Sequence, residues 1–293
     1  MKKADHLLKN KTSPGQLHVV ATPIGNLGEM SKRACDVLQS VDVIACEDTR
    51  HTRKLCSTFG IATPLTSYYR EKEQQKSDQL INQLLDGKNL ALVSDAGTPG
   101  LSDPGAILVK KARSAGISVS AVGGPSALAA ALSISGITET GFFFAGFLPA
   151  KSSERLQLIK NLRPLPWPLV FYASPHKIQA TLKDLLKVLG NRDAQLMREL
   201  TKIHEECREG TLTTLLESVT KGVKGELVLI VQGAAAPLQE KPDNLKELVT
   251  WYRDELNASL KDTVRNISGD LDIGRSAVYK EVLALWNDAP DDT

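Results

Sequence analysis

The sequence predicts an α/β protein: two α/β domains followed by a small helical module. Three observations carry this. Short apolar runs alternate with amphipathic stretches in the first half of the chain, the pattern of strand–helix–strand units in a largely parallel sheet. The pattern restarts after a Gly-Phe-Leu-Pro-Ala-Lys-Ser-Ser stretch at residues 146–153, which reads as a linker. A length of 293 residues, 42% of them hydrophobic, exceeds one typical compact domain and suits two.

The Lys-rich start (Lys2, Lys3, Lys9, Lys11) lacks the apolar core of a signal peptide and is expected as a flexible, solvated tail over residues 1–15. In the first domain, residues 16–146, strands are expected at 17–21, 41–45, 90–94, 117–122 and 142–145. Helices are expected at 31–39, 71–85, 105–115 and 125–135. Pro125 suits the last of these, because a first-turn proline forgoes an N–H that has no helical partner. In the second domain, residues 147–233, helices are expected near 154–162, 175–189 and 211–219, and strands near 169–173, 194–198 and 226–232, in a more antiparallel sheet. Residues 234–242 read as a second linker, and residues 243–288 as a helical module.

Bulk composition mainly excludes. With 36 basic and 34 acidic side chains the net charge is +2, which neither demands nor forbids nucleic acid. Cys35, Cys46, Cys56 and Cys207 form no CxxC pair, so they read as reduced thiols of a cytoplasmic protein and not as a zinc knuckle or disulfide scaffold. No apolar run approaches the roughly 18 residues that span a bilayer.

Small and polar residues gather where strands end. The first such loop runs Thr22-Pro23-Ile24-Gly25-Asn26-Leu27-Gly28. The second carries Asp95, Ala96, Gly97, Thr98, Leu101 and Asp103, and the third is Gly123-Gly124-Pro125-Ser126-Ala127. Each could be a tight turn and nothing more. Three together, beyond the carboxyl ends of strands in an open α/β sheet, point to a ligand met by main-chain amides and carbonyls. Neither GxxxxGK[ST] nor a GxGxxG after the first strand is present. Asp95 and Asp103 would repel phosphates and suit a cationic or amphoteric ligand, such as a sulfonium with an amino-acid tail.

After the second strand comes Glu47-Asp48-Thr49-Arg50-His51-Thr52. It fits acid/base chemistry or recognition of an RNA backbone. It equally fits a helix cap at Asp48 or Thr49 with a surface ion pair to Arg50 or Arg53. The charged stretch 198–210 reads as a solvated loop and helix start. His204 and Glu205 lack a second histidine at metal spacing, and His176 is alone, so no metal is expected.

Taken together, Ala21-Thr22-Pro23-Ile24-Gly25-Asn26-Leu27, Glu47–Thr52, Val93–Pro99, Asp103-Pro104-Gly105 and Gly124–Ala127 resemble the ribosomal RNA small-subunit methyltransferases of the tetrapyrrole methylase superfamily. The likeness continues through Gly146–Pro149, Phe171-Tyr172, Arg198–Lys202 and Lys224-Gly225-Glu226. It covers residues 16–232. It implies two α/β domains with S-adenosylmethionine in the cleft between them, a homodimer, no metal, and 2′-O-methylation of a cytidine in the decoding region of 16S rRNA on the small ribosomal subunit. By that likeness Pro23, the Asp95–Asp103 loop and Gly124–Ala127 hold the cofactor from one side. Tyr172, Leu200, Gly225 and Glu226 hold it from the other. The chain departs from the family at Tyr68–Lys72, where a His- and Asn-containing stretch is usual. It also departs at Gly123, usually proline, and at Ala173 and Lys177, usually Glu and Arg.

A ribose hydroxyl must lose its proton as it attacks the methyl carbon. Glu47 or Asp48 is the candidate base, and Arg50, which stays protonated, would place a phosphate or the nascent alkoxide. Two rivals stand beside this reading. One is a tetrapyrrole or corrin methyltransferase, which should need a wide apolar trough poorly matched by 5% aromatic residues. The other is a non-catalytic RNA-binding ribosome-assembly factor. In the helical module, Leu245, Leu248, Val249 and Tyr252 fall at helical spacing. Residues 269–280 resemble the turn and second helix of a helix-turn-helix, with a glycine making the turn and Arg275, Ser276, Tyr279 and Lys280 facing outward. Such a module would contact phosphates; a packing hairpin is the alternative.

Overall fold

The computed structural model describes residues 13–234, 244–255, 258–271 and 273–287. The expected tail up to residue 12, the expected linker from residue 235 to 242, and Asp272 lie outside the described residues. The chain divides into two compact units between Ala234 and Ala235.

The first unit contains two sheets. Strands β1 (Gln16–Val20), β2 (Val43–Cys46), β3 (Leu65–Ser67), β4 (Leu90–Leu92) and β5 (Ser118–Val122) form a wholly parallel sheet in the order β3-β2-β4-β1-β5. The central strands are near-continuous apolar runs because helices cover both faces. Helices α1 (Lys32–Ser40) and α2 (Thr49–Thr58) bury Ala34, Leu38 and Cys56 against Val20, Ile44 and Val93 on one face. On the other, α3 (Glu73–Leu85) and α4 (Ala106–Ser114) bury Leu80, Leu84 and Leu108 against Leu17, Ala45 and Leu92. Ser31 caps α1 by accepting from the Ala34 N–H at 3.1 Å, satisfying one of the helix's orphan donors.

The second sheet comprises β6 (Phe143–Phe147), β7 (Leu169–Ala173), β8 (Asp193–Arg198), β9 (Glu206–Thr211) and β10 (Leu227–Val231), in the order β6-β7-β10-β8-β9. Only the β6–β7 pair is parallel. Period-two alternation sorts its side chains. Leu169, Phe171, Leu227, Leu229 and Val231 pack under α6 (Ser152–Leu162), α7 (Ile178–Leu189) and α8 (Leu212–Ser218). Val170, Val228, Ile230 and Met197 face the opposite way, onto α5 (Ala127–Ile134) of the first half. The alanines of α5 let that helix lie close to the sheet. This contact joins the two halves and sets where the cavity between them opens.

Three expectations need correcting. The run 142–145, grouped with the first domain, belongs to the second sheet: Phe143 pairs with Leu169 and Phe144 with Val170, and a register shift follows before Gly146. The supposed linker at 146–153 therefore begins inside a strand and ends inside α6. The stretch 198–210, read as a solvated loop, contains the edge strand β9 in a hairpin with β8. Its alternation of Glu206, Arg208 and Gly210 hides strand character, and edge strands often carry such charges. The three-residue β3 gave no periodic signal.

The second unit holds α9 (Leu245–Thr250), a π turn at Trp251–Glu255, α10 (Leu260–Leu271) and α11 (Arg275–Asn287). Leu248, Val249, Tyr252, Val264, Ile267, Val278 and Val282 form its core. Gly269 lies within α10, so the break between helices falls at Ile273-Gly274 and not at the first glycine. Arg275, Ser276, Tyr279 and Lys280 are exposed on α11.

Candidate active site

A cavity of about 330 Å³ opens between the two sheets. One wall is the loop after β4: Asp95, Ala96, Gly97, Thr98, Leu101 and Asp103, with Ile24 and Ala127 beside it. The loop is fixed largely by its own backbone. Thr22 and Gly97 exchange both main-chain hydrogen bonds, at 2.9 and 3.0 Å. The Thr22 hydroxyl donates to the Ser94 carbonyl at 3.3 Å, and the Thr98 hydroxyl to the Pro125 carbonyl at 3.3 Å. Gly97 sits at φ +78°, where a side chain would be strained and its Cβ would press within 3.3 Å of Ile24.

The facing wall comes from the second sheet: Phe147, Tyr172–Pro175, Leu200 and Gly225–Val228. Its scaffold is the Glu199 carboxylate. Glu199 holds φ +54° and accepts from the Glu226 N–H and from Lys202 Nζ, both at 2.9 Å. The Lys202 ammonium and these hydrogen bonds hold the Glu199 carboxyl below its ordinary pKa. Lys202 also reaches Glu226 at 3.0 Å, and its methylenes lie where a Cβ on Gly25 would sit, so this wall touches the first loop. Tyr172 makes edge contacts with Phe144 and Phe147 at 4.9 and 5.5 Å, and burial pushes its phenol upward.

Of the residues expected at a cofactor, eleven line this cavity: Asp95, Ala96, Gly97, Thr98, Leu101, Asp103, Ala127, Tyr172, Leu200, Gly225 and Glu226. Pro23, Gly124, Pro125 and Ser126 do not. Gly124 instead lies against Ala21, where a Cβ would come within 3.1 Å, and Pro125 supports Thr98. Ile24, Phe147, Ala173, Ser174, Pro175, Leu227 and Val228 were missed. The apolar Ile24 within a polar loop, and the Ala-Ser-Pro continuing from Tyr172, were signals that could have found some of them. The departures fit locally. Space around Gly123 would admit a side chain, Ala173 is part of the wall, and Lys177 stands at the N-cap of α7.

Glu47, Asp48 and Arg50 do not line the cavity, but they join its rim. The Asp48 N–H donates to Asp95 Oδ1 at 3.0 Å. The Asp48 carboxylate caps α2 through the Arg50 N–H at 2.8 Å and forks onto the Arg50 guanidinium at 3.2 and 2.8 Å. Those bonds hold Asp48 far below the usual carboxylate range. The Arg50 side chain is 84% exposed, so the pair adds little stability. Glu47 differs. It is half-buried, and burial, then the charges of Asp95 and Asp103, push its carboxyl up. Burial and Asp95 push Asp103 up likewise. Among the described residues no group of three or more His, Cys, Asp and Glu side chains could hold a metal ion, and no helix is long and apolar enough to cross a membrane.

Two α/β sheets closing on a loop-lined cavity define a methylase fold of the tetrapyrrole type: a family model described as Tetrapyrrole (Corrin/Porphyrin) Methylases matches residues 16–216. Among solved structures, a uroporphyrin-III-C-methyltransferase from Thermus thermophilus superposes with a TM-score of 0.54 at 20% identity, over 74% of this chain and 94% of that one. Sequence relatives are nearer. The ribosomal RNA small subunit methyltransferase I of Xylella fastidiosa (strain Temecula1) is 50% identical over 76% of this chain and 84% of its own length. That of Vibrio cholerae is 43% identical over 92% and 96%. The chain belongs to the ribosomal RNA small subunit methyltransferase I family.

Proposed function

We propose that the chain transfers a methyl group from S-adenosylmethionine to the ribose 2′-hydroxyl of a cytidine in the decoding region of 16S rRNA, acting on the small ribosomal subunit in the cytoplasm as a homodimer. The names of its relatives support the rRNA substrate. The cavity supports the cofactor: about 330 Å³ suits a small ligand, and a loop of small and acidic residues lines one side. Asp95, Asp103 and Glu226 add negative charge that suits a sulfonium and an ammonium group. Leu101, Leu200 and Val228 supply apolar surface for a flat base.

The observation that carries the reading is the Asp48–Asp95 hydrogen bond, which holds the end of β2 against the cavity loop. It brings Glu47 to the rim. The bound cofactor supplies an electrophilic methyl on a sulfonium. At the rim the Glu47 carboxylate would accept the proton that the ribose hydroxyl loses on methylation. Glu47 suits this role better than Asp48, whose oxygens are already committed to Arg50 and the α2 cap. A base pushed upward towards neutrality accepts a proton more readily. Helix α2 turns Arg50, His51, Arg53 and Lys54 to solvent beside this rim, a surface suited to RNA phosphates.

The test is transfer of labelled methyl from S-adenosylmethionine to small subunits that lack the modification. The labelled RNA is then treated with alkali. A 2′-O-methyl removes the hydroxyl that attacks the adjacent phosphate, so the labelled linkage resists cleavage. Label on a base, or no label with a competent subunit preparation, rejects the proposal.

A further inference from the structure

The segment between β3 and α3 grips the cavity loop at two points. Tyr68 is 1% exposed, and its hydroxyl lies 3.0 Å from both Glu73 Oε1 and Ser77 Oγ. Glu73 Oε1, so fixed, accepts from the Gly105 N–H at 2.8 Å. Arg70 Nη2 donates to the Ser102 carbonyl at 2.9 Å. These two bonds flank Asp103, which lines the cavity. Ser102 itself holds φ +72°, a conformation that a non-glycine residue keeps only when its surroundings over-determine it.

We propose that Arg70 is a positioning residue for the active site: it anchors the Asp103 stretch of the cavity loop and acts as the counter-cation of the acidic rim formed by Glu47, Asp95 and Asp103. The rim needs one. Glu47 faces Asp95, Asp103 and Glu71, with Arg70 the cation that opposes them. Asp103 faces Asp95, with Arg70 and the Ser94 hydroxyl favouring its charged form, and it lies near the Tyr172 phenol. Arg70 lowers the pKa of both Glu47 and Asp103, and without it these two carboxyls resist ionising beside their acidic neighbours.

The inference rests on the reading of the cavity as a cofactor site, so the test has an arm independent of it. Carboxyl-carbon NMR titration of Glu47 and Asp103 is compared in wild type, Arg70→Ala and Arg70→Lys. Arg70→Ala should move both midpoints up by about one pH unit, and Arg70→Lys should leave them near wild type. S-adenosylhomocysteine affinity, measured calorimetrically across the same pH range, should then show its acid-side loss setting in about one pH unit higher in Arg70→Ala, a difference that approaches tenfold below both midpoints. Unmoved midpoints in Arg70→Ala overturn the proposal. Equal losses in Ala and Lys variants, with unmoved midpoints, identify a loop clamp with no electrostatic role and overturn it too. Wild type that binds no S-adenosylhomocysteine refutes the cofactor reading, while the titration still decides the role of Arg70.

Discussion

Replacing Gly225 with alanine tests how the second-sheet wall is built. Gly225 lies at φ +94°, and an added Cβ would come within 2.4 Å of Glu199 Oε1 and 2.5 Å of Glu199 Cδ. Two costs follow. The backbone conformation alone costs an L-residue about 1–2 kcal/mol. The Glu199 carboxylate must also leave the Glu226 N–H, breaking a charge-assisted bond worth about 1.5 kcal/mol, the low end of its range because the side chain is 19% exposed. The sum is about 3 kcal/mol. For a folding unit of this size it lowers Tm by about 6–12 °C. Because Gly225 and Glu226 line the cavity, S-adenosylhomocysteine affinity should fall as well.

Thermal unfolding of the two single variants and the double variant Glu199→Ala/Gly225→Ala separates the costs. In the Glu199→Ala background the atoms that the new methyl would meet are gone. Gly225→Ala should then cost only the conformational part, leaving a coupling of about 1.5 kcal/mol. Strictly additive losses would show that Glu199 does not brace this turn, and the account of the wall would be wrong.

Glu47→Gln should lower methyl transfer by about a hundredfold or more, whereas Asp48→Asn keeps a good helix cap, loses only an exposed ion pair, and should leave rate and stability near wild type; equal rate losses would undo the assignment. The rate should fall as pH drops through the raised Glu47 pKa, since only the ionised form accepts a proton, and a flat acid limb counts against Glu47. Ending the chain at Pro242 should weaken association with small subunits and flatten its salt dependence without changing S-adenosylhomocysteine affinity, because exposed Arg275 and Lys280 are lost. Sedimentation at micromolar concentration should give a dimer, and a monomer contradicts that expectation.

Legibility in the sequence followed the physics of each element. The buried strands β1, β2, β4, β7 and β10 are apolar runs whose limits lie within about two residues of expectation, since covered strands cannot hide their composition. Strands β3 and β9 escaped: one is three residues long, and the other is an edge whose charges mimic a loop. Strand β6 was seen but assigned to the wrong sheet, because pairing partners leave no mark on local composition. In the site, the residues around Asp95 and Gly225 were readable because close backbone approach demands glycine at set places. The supports contributed by Glu199, Lys202, Glu73 and Arg70 were not. Their roles come from hydrogen bonds spanning 24 to 32 residues of sequence, or from positive-φ backbone at non-glycine residues.

That contrast separates the two halves of the active site by the kind of constraint each carries. The cavity side is made largely of main-chain groups and positive-φ turns, so it requires particular backbone shapes and tolerates many side chains around them. The rim is made of side chains: Glu47 at the end of β2, Arg50 and Arg53 on α2, Arg70 at the entry to α3. A backbone-built cavity can keep its form while those side chains change. Tyr68 holds the buried anchor through Glu73, and the neighbouring Arg70 bonds to the same loop at Ser102. The physical prerequisite is that anchor. Removing the Tyr68 hydroxyl should loosen Glu73 from Gly105 and carry the loop away from Arg70 as well.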